Sequence, residues 1–170
     1  MTSLVAKHNS KILKNCRAGQ NKPAPSCNCQ RSRIAECPLP GKCNTDGVVY
    51  QAIVRSNTGG EESYIGLAKN FKKRFRQHKA SMTDKKSEGA TTLSSHFWKV
   101  KEAGGDPTVK WKFLEQNIPT FNPVRGSCRL CLREKYNILM NSKNATLNSR
   151  TEIFTHCRHI QSKLIGKPPD

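Results

Sequence analysis

Two tyrosines, an arginine and a histidine fall close together at Tyr50, Tyr64, Arg74 and His78. The last three share the run Tyr64-Ile65-Gly66-Leu67-Ala68-Lys69-Asn70-Phe71-Lys72-Lys73-Arg74-Phe75-Arg76-Gln77-His78. Arg74 and His78 are four apart, so on a helix one stands above the other. Phe71 and Phe75 occupy a neighbouring row that faces the core. Such a helix buries its phenylalanines and presents an arginine and an imidazole beside the tyrosines. A guanidinium fork suits a phosphate, and a phenol becomes a base once cations stabilise its anion. Taken alone, Arg74 is explained equally well by a basic helix with Lys72, Lys73 and Arg76, and His78 by a surface histidine.

Cysteines supply the second chemistry. Cys27 and Cys29, then Cys37 and Cys43, place four thiols in a short segment interrupted by proline. Tetrahedral zinc takes four nitrogen or sulfur ligands, and a segment with no core gains its fold from the metal. Two disulfides or free thiols are the other readings. Cys128-x-x-Cys131 with the later Cys157 and His159 forms a second possible zinc set, of the three-cysteine, one-histidine kind, for which His156 competes as a ligand. Cys16 has no evident partner.

Composition sets the frame for both. The chain has 170 residues, 35% hydrophobic and 6% aromatic, which is thin for a core of this length and points to metal as a supplement. Thirty Lys+Arg against twelve Asp+Glu leave a formal charge of +18. That balance argues for a polyanionic partner, nucleic acid above all. A secreted basic factor is the competing reading. The first twenty residues hold no apolar run longer than Leu4-Val5-Ala6, too short for a signal-peptide core. No stretch is long enough to span a membrane. The expected compartment is therefore reducing, which favours thiolate ligands over disulfides.

These groups need a scaffold. Residues 3–15 read as a short amphipathic helix and 16–46 as loop. Residues 48–55 are rich in β-branched side chains and read as a strand, the Asn57–Gly60 stretch as a turn, and 63–68 as the returning strand of a hairpin. A helix is predicted over 70–82 with Asn70 as N-cap, followed by a polar loop over 83–90. Leu93, Phe97 and Val100 mark a helix over 92–103, closed by Gly104-Gly105. Val109, Trp111 and Phe113 alternate in a third strand over 108–115. A Pro/Gly linker follows at 118–127, then a helix over 128–141 and a short one near 150–162. The fold class is α+β, a small mixed sheet flanked by helices, with a zinc-stabilised N-terminal segment.

Val48-Val49-Tyr50, followed by Tyr64-Ile65-Gly66 and the helix carrying Arg74 and His78, resembles the core of GIY-YIG nucleases. Val48-Val49 replaces the Gly-Ile of the first signature and leaves its tyrosine intact. The wider pattern includes the cysteines, the His8-to-Leu13 stretch and Cys128–Tyr136. It resembles the C-terminal endonuclease domain of Penelope-like retroelements, from His8 to about Lys163.

The resemblance implies a division into an N-terminal helix and linker (1–26), a cysteine-rich zinc-binding segment (27–46) and a nuclease domain (47–165). It implies hydrolysis of DNA phosphodiester bonds, with a nick that primes reverse transcription. Glu134 would bind one Mg²⁺ or Mn²⁺ ion, Arg74 would clamp the scissile phosphate, and Tyr50 or Tyr64 would activate water. His78 would hydrogen-bond the phosphate or a tyrosine hydroxyl, and Asn148 would assist at the active site. The implied partners are DNA and a fused or associated reverse transcriptase with its RNA, in the nucleus. A repair or junction nuclease, and a zinc-bearing nucleic-acid-binding module without cleavage, are the competing functions.

Overall fold

The computed structural model describes residues 2–20, 27, 29, 37–57, 59–119, 128–149 and 157, with side chains in the first segment described for 4–14. The elements are α1 (Thr2–Gln20), β1 (Asp46–Arg55), β2 (Glu61–Asn70), α2 (Phe71–Thr83), α3 (Thr92–Glu102), β3 (Thr108–Glu115) and α4 (Arg129–Met140). The class is α+β. Among the described residues no helix is long and apolar enough to cross a membrane. The short helix expected near 150–162 lies outside the described residues.

The sheet is antiparallel throughout, in the order β2-β1-β3. This corrects the mixed sheet expected from sequence. The hairpin sets β2 against β1, with Gly59 and Gly60 at φ 89° and 101° in its turn. The connection through α2 and α3 then carries the chain to the far side of β1. There β3 runs in the same direction as β2 without touching it, so no parallel pair arises. The expected loop at 83–90 is also corrected: Lys85–Ala90 is a 3-10 turn, because the Asp84 carboxylate accepts from the Lys86 amide at 3.0 Å and so nucleates it.

Alternation along β1 divides the interior into two layers. Val48, Tyr50, Ala52 and Val54 point to one face, where Phe71 of α2 and Leu93 of α3 cover them. Val49 points to the other, where it meets Ile65 of β2 and Leu130 and Ile138 of α4. β3 sends Val109, Trp111 and Phe113 to the first face, as their alternation predicted. Each fully buried side chain of this size contributes roughly 1.5–3 kcal/mol.

The helices start where the sequence places them. Asn70 caps α2 by accepting from the Lys73 amide at 3.1 Å. Thr91 and Ser94 form a reciprocal capping box at α3. α3 is tied to α2 by the Trp98 indole, which donates to the Ser81 carbonyl at 2.9 Å.

Outside the hydrogen-bonded ladder, the rim of β2 is sealed by the segment after α4. The Leu147 amide donates to the Ser63 carbonyl (3.0 Å), and the Ser63 amide donates to Thr146 Oγ1 (2.8 Å). Asn148 completes the seal. Its Oδ1 accepts from the Ile65 amide and its Nδ2 donates to the Ile65 carbonyl, both at 2.8 Å. The Ser63 hydroxyl donates to the Asn144 carbonyl, and Gln51 of β1 joins them from beneath.

Candidate active site and metal centres

Tyr50, Tyr64, Arg74 and His78 come together on the first face of the sheet. The Tyr50 hydroxyl lies 2.7 Å from His78 Nε2, and Arg74 Nε donates to the same oxygen at 3.4 Å. The Tyr64 ring lies 6.5 Å from Tyr50 and 6.3 Å from His78, centre to centre. Trp111 closes the cluster from β3, 5.7 Å from Tyr50 and 5.5 Å from His78. Arg74 Nη1 also donates to Gln77 Oε1 at 3.1 Å, which fixes the guanidinium on its helix.

Gly66 lies where the two tyrosine rings close on the backbone of β2. It pairs with Tyr50 across the hairpin, and the Tyr50 ring lies over it. A Cβ at Gly66 would stand 2.7 Å from the Tyr50 hydroxyl oxygen and 2.7 Å from Tyr64 Cε1. Gly66→Ala is therefore expected to push both rings aside and to cost about 1–3 kcal/mol of stability as an overpacked site. Urea unfolding checks this, and a variant as stable as wild type would refute the close packing.

His78 is not a surface residue. Seven positions after Phe71, it lies on the buried stripe of α2 and is 1% exposed. Burial first, and the charge of Arg74 second, lower its pKa to about 3. The imidazole is thus neutral at physiological pH. Its Nδ1 is buried and has no hydrogen-bond partner among the described residues. A buried orphan N–H is rarer than a bare acceptor, so the proton is best assigned to Nε2, directed at Tyr50. Burial opposes the charge of Arg74 as well, but the neighbouring Tyr50 and Tyr64 outweigh it and raise its pKa.

The sign of the resulting pH dependence follows from His78. As pH falls, the unfolded chain takes up this proton near the ordinary value of about 6.5, while the folded chain resists until about 3. The stability associated with neutral His78 is complete above the first value and declines between them, by at most about 1.4 kcal/mol per pH unit. His78→Gln should flatten this slope in unfolding measured from pH 7 to 4. Equal slopes for the two proteins would refute a buried neutral histidine.

Glu134 and Asn148 belong to other parts of the fold. Glu134 is half-buried on the α4 stripe shared by Leu130 and Ile138, so it lies in the layer on the second face. Asn148 uses its amide to hold the rim of β2, which makes it a support of the strand that carries Tyr64. Sequence reasoning missed Glu115, which anchors α4. It accepts from Arg133 Nε and from Asn137 Nδ2, both at 2.6 Å. Burial works against the Glu115 carboxylate, but the Arg133 and Asn137 hydrogen bonds prevail and hold its pKa below the usual range. A lone glutamate at a strand end carries no signal that would have revealed this.

The cysteines assemble as two sets. The sulfurs of Cys27, Cys29, Cys37 and Cys43 all lie within 4.8 Å of one another. Individual separations are 3.6 Å for Cys27–Cys37, 3.6 Å for Cys29–Cys43 and 3.3 Å for Cys43–Cys27. A tetrahedron of thiolates about zinc, with Zn–S near 2.3 Å, has edges of about 3.8 Å. The donor set and its spacing therefore fit a structural metal such as zinc, and the thiols are free rather than paired in disulfides. Cys27 is lowered to about 6, chiefly by the Cys29 backbone amide, whereas burial pushes Cys37 and Cys43 up. A bound cation relieves that conflict by supplying the charge that lets all four ionise.

Cys128, Cys131 and Cys157 form the second set, also within 4.8 Å. Burial raises the thiols of Cys128 and Cys131. The set ties residue 157 to the first turn of α4. The expected fourth ligand His159, its competitor His156, and the side chain of Cys16 lie outside what the structure describes.

Comparison of the chain with protein-family models, with curated proteins and with solved structures returned no match.

Proposed function

We propose that the chain is a metal-dependent DNA endonuclease of the GIY-YIG type, which nicks DNA by phosphodiester hydrolysis, the nick serving to prime reverse transcription by a retroelement. The observation that carries this reading is the convergence of Arg74 Nε and His78 Nε2 on the Tyr50 hydroxyl, at 3.4 and 2.7 Å, beside Tyr64. With His78 protonated at Nε2, two N–H donors meet one phenol oxygen. Negative charge on that oxygen is then stabilised, which is what a tyrosine needs to take a proton from water. Tyr50 is accordingly the base: as phenolate, its own proton having been released to solvent, it takes the proton of the attacking water. His78, neutral and buried, orients it. The Arg74 guanidinium relieves charge on the scissile phosphate.

Glu134 would hold the divalent cation, which when bound adds charge relief at the phosphate and at the leaving oxygen. A single carboxylate suits Mg²⁺, which keeps most of its waters. β2 is an edge strand, so the two faces of the sheet meet along its rim. The Tyr50 hydroxyl lies over Gly66 at that rim, with α2 on one side and α4 on the other. A DNA backbone passing the β2 rim at Gly66, beyond the stretch sealed by Thr146, Leu147 and Asn148, would meet Arg74 from one layer and Glu134 from the other. The charge of +18 favours such a partner, and α2 contains no acidic residue to oppose it.

A zinc-bearing binding module without cleavage is the second reading. It is favoured by the burial of Tyr50 and His78, at 0% and 1% exposure, which a structural role also satisfies. Supercoiled plasmid incubated with Mg²⁺ or Mn²⁺ separates the two. The endonuclease reading expects open-circular product from wild type and none from Glu134→Ala. Nicking that survives Glu134→Ala removes Glu134 from the site, and no nicking by wild type with either metal supports the binding module.

A further inference from the structure

We infer that the Cys27/Cys29/Cys37/Cys43 metal centre sets the active-site cluster through α2, with Lys72 as the positioning residue that couples the two. The inference builds on the reading of α2 as the helix that carries the phosphate-clamping Arg74. Four hydrogen bonds join the cysteine segment to the start of this helix. The Thr45 carbonyl accepts from the Phe71 amide at 3.0 Å, satisfying one of the orphan donors of the first turn. Asn70, the N-cap, donates from Nδ2 to Asn44 Oδ1 at 3.1 Å and to Asp46 Oδ1 at 2.7 Å. Lys72 Nζ donates to Cys29 Sγ at 3.4 Å.

The chain from sulfur to helix is continuous. Gly41 accepts from the Cys27 amide at 3.2 Å, and the Lys42 amide donates to Leu39 at 3.0 Å. Thr45 is pinned to the Lys42 carbonyl through its hydroxyl at 2.6 Å and its amide at 3.2 Å. Leu39 in turn packs on the cluster that contains Tyr50 and Phe71. Four thiolates about a divalent zinc carry two net negative charges, and the Lys72 ammonium lies where it offsets one of them. Lys73, Arg76 and Lys79 on the same helix are exposed to solvent, whereas Lys72 is half-buried against the sulfur. Hydrogen bonds to a ligand atom orient it and tune its affinity for the metal. Here the same bond also fixes the first turn of α2, two residues before Arg74.

Loss of the metal then has a directed consequence. The four ligands are no longer held together, the loop from Cys37 to Thr45 relaxes, and the first turn of α2 loses its contacts with Thr45 and Cys29. Arg74 drifts from Tyr50, while the β1–β2 ladder, whose pairs from Val48 to Arg55 lie beyond this loop, persists in weakened form.

Two measurements on the full chain test the coupling. The first is amide exchange of zinc-loaded wild type beside Cys37→Ser. Faster exchange is expected over 71–75, with 49–54 and 63–67 still protected, and equal exchange over 71–75 in the two proteins would overturn the inference. The second is metal binding by Lys72→Met. Zinc affinity is expected to fall about tenfold or more. The thiolate-to-cobalt band of the Co²⁺-loaded protein should shift, and Lys72→Arg should restore both. Lys72 lies at this centre, so the difference spectrum reports it. Unchanged affinity and an unshifted band in Lys72→Met would refute the role of Lys72. A loaded wild type that fails to nick DNA, while α2 still responds to zinc, would sink the nuclease reading and leave the coupling in place.

Discussion

Arg74→Ala is expected to lower the nicking rate by about 10²–10³-fold, the cost typical of removing one preorganised donor from a developing charge. Arg74 has two roles to lose. It donates to the Tyr50 oxygen at 3.4 Å, and on the proposed reading it meets the phosphate. Arg74→Lys tests which role dominates. A lysine keeps the charge but not the planar fork, so it cannot serve both oxygens at once. It should recover little of the rate. Single-turnover nicking of plasmid under saturating protein measures the chemical step apart from DNA binding. Full activity in Arg74→Ala would rule out the assignment. Activity restored by lysine would reduce Arg74 to a point charge.

Cys43→Ser is expected to have the largest effect on stability. Cys43 is fully buried and within 3.6 Å of both Cys27 and Cys29. A structural zinc contributes on the order of 10 kcal/mol to the fold of the segment that binds it. Removing the most buried ligand forfeits much of this, and leaves three crowded thiols beside a hydroxyl that binds zinc poorly. Zinc content should fall by one equivalent per chain. Cys37→Ser should behave alike in metal content. Unchanged stoichiometry in either variant would refute a four-cysteine site at 27–43. Because Leu39 packs on the core that holds Tyr50, the loss should also lower the unfolding midpoint of the sheet domain.

The elements of the fold were largely legible. A β-branched run marked β1, the turn at Asn57–Gly60 marked β2 as its returning strand, alternation of Val109, Trp111 and Phe113 marked β3, and Asn70 marked the start of α2. Periodicity identifies strands but not their neighbours, so the antiparallel β1–β3 pairing could not be read. The 3-10 turn at Lys85–Ala90 depends on one carboxylate, Asp84, in an otherwise polar run. At the site, the spacing of Arg74 and His78 correctly brought both to the tyrosines. The burial of His78 was missed, although its position seven residues after Phe71 places it on the same stripe. Lys72 could not be distinguished from the other basic residues of α2, because its role depends on Cys29, which is distant in sequence. The four-cysteine set was legible because metal chemistry restricts ligand number and type more tightly than packing restricts side chains.

The seal on β2 has a practical consequence for truncation. Consider a chain cut just after α4, at about residue 141. Such a chain would lack Thr146, Leu147 and Asn148, and with them the groups that satisfy the backbone of Ser63 and Ile65. An open strand edge is a template for another chain. A fragment cut there would expose that edge next to Tyr64 and is expected to self-associate, so a monodisperse fragment has to extend past Asn148.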